Sequence, residues 1–263
     1  MKVYIITDME GITGIWRQEM VDPSRPEHYN IGRRLLMGDI NAAIRGAFDA
    51  GATEVVVNDG HGGAPHIILE EMDERAEYVR PNGPGDVMVG LDETFDAMFH
   101  IGAHAMAGTR NAFLDHTQSS TSWYNYYLNG KKYGEIGQSA VIAGHYGVPL
   151  LLVTGDEAAC REAENLLGPG NVVTVAVKKA IGRQWARCLH PKRAQQMIYE
   201  GAKKALQLVG KVEPYRIETP IRVRLEFYRT DMADPYENHP RVERVGPREI
   251  EVTVPDALHI MNW

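Results

Sequence analysis

The stretch KVYIITDMEG, residues 2–11, decides the fold. Its first six residues are mostly β-branched, aromatic or apolar, and the run is short, which predicts a buried strand. Two carboxylates, Asp8 and Glu10, follow that strand directly. In a parallel α/β sheet, functional side chains collect at the carboxyl ends of the strands. The stretch therefore predicts a strand of the sheet and one side of a functional site.

The segments that follow repeat the order of strand and helix. Apolar residues recur at helical spacing over residues 31–50, and Gly51 is suited to end that helix. Residues 54–57 (EVVV) predict a second buried strand, which leads into the glycine-rich loop 58–63. A strand, a helix and a second strand in this order predict a right-handed parallel unit.

The rest of the chain predicts an α/β protein with a mainly parallel central sheet flanked by helices. An Asn129-Gly130 turn predicts a hairpin. Further strands are predicted at 86–89, 97–101, 123–128, 131–133, 149–154, 172–177, 221–227 and 249–254, and helices at 136–146, 156–167 and 192–209. After Val212, prolines punctuate short alternating runs. We therefore expect a metal-binding catalytic domain at 1–212 and a smaller α+β portion with antiparallel strands at 213–263.

Composition excludes several classes of protein. The chain has 263 residues, of which 44% are hydrophobic and 24% charged, enough apolar material for a core. A formal net charge of −7 argues against nucleic acid as a partner. Apolar runs are too short to span a membrane, and the first residues do not resemble a signal peptide. The two cysteines fit a reducing compartment, so we expect a cytoplasmic protein.

Polar side chains follow three predicted strands. Asp8 and Glu10 follow the first, His61 the second and His104 the one at 97–101, while Glu135 opens the helix after the hairpin. Taken singly, these residues have structural interpretations: loop carboxylates, a turn imidazole, a buried core histidine and a carboxylate at a helix start. Their joint placement at one sheet edge favours a metal site with nitrogen and oxygen ligands, which suits zinc and also manganese or cobalt.

One further histidine is a candidate for acid–base chemistry. His116 lies in the polar loop Leu114-Asp115-His116-Thr117, and imidazole titrates near neutral pH. The hydroxyl-rich run 119–122 lacks the Gly-x-Ser-x-Gly pattern of a nucleophilic serine, and the loop 60–63 lacks the spacing of a dinucleotide fingerprint.

Four motifs occur in the order found in a known family. Asp8-Met9-Glu10-Gly11-Ile12 is followed by Asn58-Asp59-Gly60-His61, Gly102-Ala103-His104-Ala105 and Gly134-Glu135-Ile136-Gly137. In these motifs the chain resembles the DppA-type D-aminopeptidases of the M55 metallopeptidase family. The similarity covers residues 1–210, and little beyond residue 212 matches.

The resemblance implies a zinc-dependent aminopeptidase that hydrolyses short peptides or amino-acid amides and prefers D-residues at the amino end. It implies two zinc ions per subunit, attack by a metal-bound hydroxide, and a homo-oligomer, namely a decameric ring. By motif, the family's metal ligands map to Asp8, Glu10, His61, His104 and Glu135, and its catalytic histidine maps to His116. The substrate amino group could be held by a metal or by an acidic residue such as Asp115.

Two other functions remain open at the level of sequence. A dinuclear phosphoesterase would use the same ions but needs cations to bind phosphate, and Arg110 is the candidate near the motifs. A non-enzymatic metal- or ligand-binding scaffold would keep the ligands without turnover, although His116 favours an enzyme.

Overall fold

The computed structural model describes residues 1–63, 65–81 and 88–263. Its strands are β1 (Lys2–Thr7), β2 (Glu54–Asp59), β3 (Glu77–Val79), β4 (Ala97–Ala103), β5 (Trp123–Leu128), β6 (Lys131–Lys132), β7 (Leu150–Asp156), β8 (Val173–Gly182), β9 (Trp185–Cys188), β10 (Ile221–Phe227), β11 (Glu243–Gly246) and β12 (Glu249–Val254). Its α-helices are α1 (Pro26–Asp49), α2 (Glu135–His145), α3 (Glu157–Leu167) and α4 (Pro191–Leu206).

The larger sheet is mainly parallel, as the sequence predicts. Its described strands lie in the order β3-β2-β1-β4-β7-β8-β9. β1 pairs in parallel with β2 on one side and β4 on the other, and β7 and β8 continue the parallel pairing. β9 pairs with β8 in antiparallel orientation. The predicted α/β class with a mainly parallel sheet is confirmed.

Helices cover both faces of this sheet, which explains why β1 is apolar on both sides. Val3 and Ile5 are fully buried in a core that includes residues of α1 and α4, such as Ile40 and Ile198. Tyr4 is fully buried in a second core, which includes residues of α2, α3 and the smaller sheet. Both cores therefore fix the register and orientation of β1, and with it the residues that follow β1.

The smaller sheet is antiparallel and has the order β11-β12-β10-β5-β6. The β5–β6 hairpin turns at Asn129 and Gly130, whose φ angles are 48° and 81°, as the dipeptide predicts. β10 pairs with β5, so that Val223 lies opposite Leu128. Strands from both sides of residue 212 thus share one sheet, and the division into domains at that residue stays a prediction.

Several short elements differ from the sequence prediction. Of the strand predicted at 86–89, residues 86 and 87 lie outside the described residues, and Met88 and Val89 lie in a turn. The Val89 carbonyl accepts a hydrogen bond of 2.8 Å from the Tyr4 hydroxyl there. The sequence did not predict β3, β9 or β11, which are short strands at sheet edges and carry few buried side chains. Such strands lack the apolar run that identifies an interior strand.

Among the described residues, no helix combines the length and the apolar character that crossing a bilayer requires.

A close backbone contact joins the ends of β1 and β4. Gly11 donates its N–H to the Gly102 carbonyl at 2.7 Å, and Asp8 donates to the Ile101 carbonyl at 2.8 Å. Gly102 has a φ of 83°, and a Cβ there would overlap the Asp8 carbonyl oxygen. The glycine therefore permits the turn after β1 to lie directly against the end of β4, immediately before His104.

Replacing Gly102 by alanine is expected to lower the free energy of unfolding by about 3 kcal/mol, because the new Cβ meets both an unfavourable φ and a backbone overlap. The matched control is Gly130→Ala, which has a φ of 81° but no heavy atom within 4 Å of the new Cβ. That substitution should lower the free energy of unfolding by only about 1–2 kcal/mol. Urea unfolding of both variants measures the difference, and equal losses would contradict a close contact at Gly102.

Candidate metal centre

Five side chains from four chain segments meet at the carboxyl edge of the larger sheet. Asp8 and Glu10 follow β1, His61 follows β2, His104 follows β4, and Glu135 is the first residue of α2. Asp8, Glu10 and His104 are buried, and His61 and Glu135 are largely shielded from solvent. The structure thus brings together all five residues that the resemblance marks as metal ligands.

Asp8 lies at the middle of this cluster. Its Oδ1 lies 2.9 Å from His61 Nδ1, and its Oδ2 lies 3.2 Å from His104 Nε2. Glu10 Oε2 lies 3.2 Å from the same nitrogen of His61, and Glu135 Oε1 lies 3.3 Å from the same nitrogen of His104. Each imidazole therefore faces two carboxylate oxygens, and Asp8 connects the two halves of the cluster.

Backbone carbonyls assign the tautomers of both imidazoles. His104 Nδ1 lies 3.1 Å from the Ala105 carbonyl oxygen, and His61 Nε2 lies 3.3 Å from the Val21 carbonyl oxygen. A carbonyl oxygen only accepts, so these two nitrogens carry the hydrogens of the neutral rings. The opposite nitrogens then point lone pairs at carboxylate oxygens. This arrangement is repulsive unless a proton or a metal ion lies between nitrogen and oxygen, and with a metal ion it is the arrangement of metal-ligating histidines.

The electrostatics of the cluster point the same way. Burial by itself would lower the pKa of His61 and His104, but the neighbouring carboxylates outweigh it and raise the pKa of both imidazoles well above the usual value. Burial opposes ionisation of Glu10, yet His61 holds the pKa of that carboxyl well below its usual range. The three carboxylates thus favour a positive charge among them, supplied by a metal ion or by protons on the imidazoles.

Three polar atoms of the cluster are buried without a hydrogen-bond partner in the described part of the chain. Within the described residues, Asp8 Oδ2, Glu10 Oε2 and His104 Nε2 are buried and form no hydrogen bond of acceptable geometry. Buried polar atoms are costly without partners. Two imidazole nitrogens and three carboxylates form the donor set that zinc takes in proteins. The residues present therefore fit a divalent metal.

His116 lies beside this cluster. Its ring stacks on that of His104, with centroids 3.9 Å apart and an angle of 12° between the planes. His116 Nδ1 lies 2.7 Å from the Leu114 carbonyl oxygen, so this nitrogen carries the hydrogen of the neutral ring. Nε2 lies 3.9 Å from Glu135 Oε1. The arrangement leaves the lone pair of Nε2 at the edge of the cluster, where it can take up a proton.

The loop that carries His116, residues 111–118, is conformationally strained. Three of its residues adopt left-handed backbone angles without being glycine, namely Asn111, Leu114 and Gln118, with φ of 54°, 49° and 61°. Hydrogen bonds hold it: Phe113 N–H donates to Asp156 Oδ2 at 2.8 Å, and Gln118 N–H donates to Glu135 Oε1 at 2.6 Å. Strain of this kind persists only where the surroundings determine the conformation, which is common at functional sites.

The other polar candidates have structural partners or lie at the surface. Asp115 Oδ2 accepts from the Gly108 N–H at 2.7 Å, and Asp115 Oδ1 lies 3.5 Å from Arg183 Nε. Its carboxylate therefore fastens the loop that carries His116. Arg110 is exposed. In the hydroxyl-rich run, the Ser122 hydroxyl donates to Ser119 Oγ at 2.6 Å.

Sequence reasoning missed two supporting histidine contacts. His66 Nδ1 lies 2.7 Å from Asp59 Oδ1, and the His66 N–H donates to Asp59 Oδ2 at 2.8 Å. The ring of His66 packs edge-on against His61, with centroids 4.7 Å apart. Asp59, the last residue of β2, thus holds His66 beside a candidate ligand. Its position at a strand end was visible in the sequence, but its partner was not.

Known proteins that are similar to this chain are peptidases. The sequence model of the M55 peptidases, described as D-aminopeptidase, matches residues 1–263. A D-aminopeptidase of Bacillus subtilis (strain 168) is 37% identical over 215 residues, which cover 81% of this chain and 77% of that protein. The expectation that the similarity stops near residue 212 is therefore wrong, because the family match includes the strands of the smaller sheet.

A solved structure is similar over nearly the whole fold. It is that of the Zn-dependent D-aminopeptidase DppA from Bacillus subtilis, described as a self-compartmentalizing protease. The TM-score is 0.94 at 33% sequence identity, and the alignment covers 99% of this chain and 94% of that one. With a family match over its full length and this structural agreement, the chain belongs to the M55 family of D-aminopeptidases.

Proposed function

We propose that this protein is a zinc-dependent aminopeptidase that hydrolyses short peptides or amino-acid amides and prefers a D-residue at the amino end. The observation that carries this proposal is the cluster in which two imidazole nitrogens face carboxylate oxygens, with His116 stacked beside it. The relatives are D-aminopeptidases, and the solved one is Zn-dependent. Membership in a peptidase family disfavours the phosphoesterase and the non-enzymatic scaffold.

The proposed ligands are the five clustered residues, which would hold two zinc ions per subunit. Asp8 is the candidate shared ligand, because its two oxygens face different imidazoles. The remaining ligands divide around it, with Glu10 near His61 and Glu135 near His104. Manganese or cobalt would accept the same donors.

When bound, such ions supply Lewis-acid chemistry by activating water and polarising the scissile carbonyl. The protein contributes the proton transfers. The Leu114 carbonyl fixes the hydrogen on His116 Nδ1, so Nε2 takes up a proton and delivers it to the departing amine. Glu135, whose Oε1 lies 3.9 Å from Nε2, favours the positive charge that develops on the ring. His116 is thus the proposed catalytic residue.

We also propose a homo-oligomer, of which a decameric ring is the expected form, and a cytoplasmic location. The solved relative is described as self-compartmentalizing, which supports assembly. Both cysteines, Cys160 and Cys188, are free in the structure, which suits a reducing compartment. Light scattering after gel filtration measures the number of subunits.

Substrate class can be tested directly with the zinc-loaded protein. We expect release of amino acid from D-alanine amide and from short D-peptides, with slower release from the L-forms and none of phosphate from aryl phosphates. A coupled amine assay and a chromogenic phosphate assay measure the two reactions. Phosphate release without amide cleavage would refute the proposal.

Metal content should depend on the clustered side chains. Purified protein is expected to hold about two zinc ions per chain, because the five side chains suit a two-metal hydrolytic site. His104→Ala should lower that number, and His145→Ala, at the exposed end of α2, should leave it unchanged. Plasma mass spectrometry gives the stoichiometry. Full zinc content in the His104 variant would exclude it as a ligand.

Removal of the catalytic imidazole should separate turnover from metal binding. His116→Ala is expected to lower kcat about 10²- to 10⁴-fold, the usual contribution of a positioned acid–base group. Its zinc content should equal that of the unaltered protein, since the ring contacts the cluster by stacking. His145→Ala again serves as the control. Unchanged kcat in the His116 variant would remove it from the mechanism.

A further inference from the structure

A buried lysine contacts the backbone of Glu10, one of the proposed metal ligands. Lys178 is in β8, and only 2% of its surface is exposed. Its Nζ donates hydrogen bonds of 2.7 Å to the Glu10 carbonyl oxygen and of 2.7 Å to the Ile15 carbonyl oxygen. These two carbonyls begin and end the segment 10–15, which turns away from β1. One ammonium group thus holds the first and the last carbonyl of this segment together.

The ammonium also contacts the loop that carries His116. Lys178 Nζ lies 4.8 Å from the centroid of the Phe113 ring, a cation–π distance. Phe113 is fully buried, and its N–H donates to Asp156 at the end of β7. The same cation therefore touches the segment with the candidate ligand Glu10 and the loop with the candidate acid–base residue.

Burying an ammonium is costly, and this one is not compensated by a close carboxylate. Among the described residues, no carboxylate oxygen lies within 4 Å of Lys178 Nζ, and its direct partners are carbonyl oxygens and an aromatic ring. Cys188, Asp156, Asp39 and Glu10 act on it from farther away. A methionine would fill similar space without that cost. The charge and the donors at this position therefore have a use other than packing.

The geometry indicates what that use is. The carbonyl of Glu10 is held by Lys178 on one side, while its Oε2 lies 3.2 Å from His61 Nδ1 on the other. Because backbone and side chain belong to one residue, anchoring the carbonyl fixes the position of the Glu10 backbone and so limits where the carboxylate can lie. Removing a residue that hydrogen-bonds to a metal ligand commonly weakens metal affinity or activity 10- to 100-fold.

We propose that Lys178 is a positioning residue, which orients the Glu10 ligand through its main-chain carbonyl and the His116 loop through Phe113. This inference rests on the proposed function of the same site. It assigns Lys178 no contact with substrate or metal. Its two contacts should have separable effects, one on zinc affinity and one on turnover.

The test compares Lys178→Met with Lys179→Met in the full chain. The first removes the donors and keeps the length of the side chain, while the second alters an exposed neighbour that pairs with Glu157 at 3.2 Å. Competition with a zinc chelator should show a Kd for zinc raised about 10- to 100-fold in Lys178→Met and unchanged in Lys179→Met. On saturation with zinc, kcat should fall while KM stays close to that of the unaltered enzyme.

A second variant tests the contact with the His116 loop. Phe113→Leu keeps an apolar side chain but removes the aromatic face, so it should lower kcat and leave the Kd for zinc within about threefold, less than the effect of a lost supporting partner. A zinc affinity that falls as far as in Lys178→Met would show one common packing effect and overturn the division of roles.

Folding defects are separated from positioning by measuring Tm with and without zinc. Loss of positioning should shrink the rise in Tm that zinc produces, whereas a packing role would lower both Tm values equally and leave the Kd for zinc unchanged. The latter result would overturn the proposal. If Lys178→Met does not fold, the Kd for zinc is measured on Lys178→Gln, and the same increase is expected.

The failure of this inference can be distinguished from failure of the proposed function. Unaltered protein that binds zinc but cleaves no peptide would refute the aminopeptidase alone, because the zinc titrations of the Lys178 and Lys179 variants still decide the positioning role. Unaltered protein that takes up no zinc would overturn both.

Discussion

The site depends on the register of β1 between β2 and β4. Thr7 is the partner of Asp59 on one side and of Ile101 on the other, so β1 and β2 end at the same level and β4 continues to Ala103. Successive side chains of a strand point to opposite faces, and a shift of one residue would reverse them all. The apolar cores on both faces of β1 prevent that shift. The positions of Asp8 and of the candidate ligands around it follow from this pairing.

The same edge concentrates groups that would be unfavourable elsewhere. Three carboxylates and two imidazoles lie within hydrogen-bonding distance in a buried volume, beside a loop with three left-handed non-glycine residues. Such features lower stability unless a bound cation or surrounding contacts compensate. Carbonyl oxygens hold the imidazoles in the tautomers a cation requires, and Asp156 and Glu135 hold the loop.

Much of the fold could be predicted from the sequence, because interior parallel strands such as β1 and β7 are continuous apolar runs. The cluster could be predicted because polar residues directly after such strands must meet at one edge, and the motifs of the family agreed. Short edge strands such as β9 could not be predicted, because their exposed and half-exposed residues do not form the apolar run that identifies an interior strand. The roles of His66 and Lys178 depend on partners distant along the chain, Lys178 being 168 residues from Glu10, and spacing in the sequence does not reveal such pairs.

The smaller sheet combines strands that are far apart along the chain, which affects the order in which the chain can fold during synthesis. β5 and β6 lead directly into Glu135, but β10, which pairs with β5, is made about a hundred residues later. Contacts between distant segments form slowly because a long loop must close first. On the ribosome, the ends of β1, β2 and β4 can pair long before the hairpin gains its neighbouring strand. The hairpin that leads into Glu135 therefore gains its neighbouring strand late, after the segments that carry Asp8, Glu10 and His61 have been made.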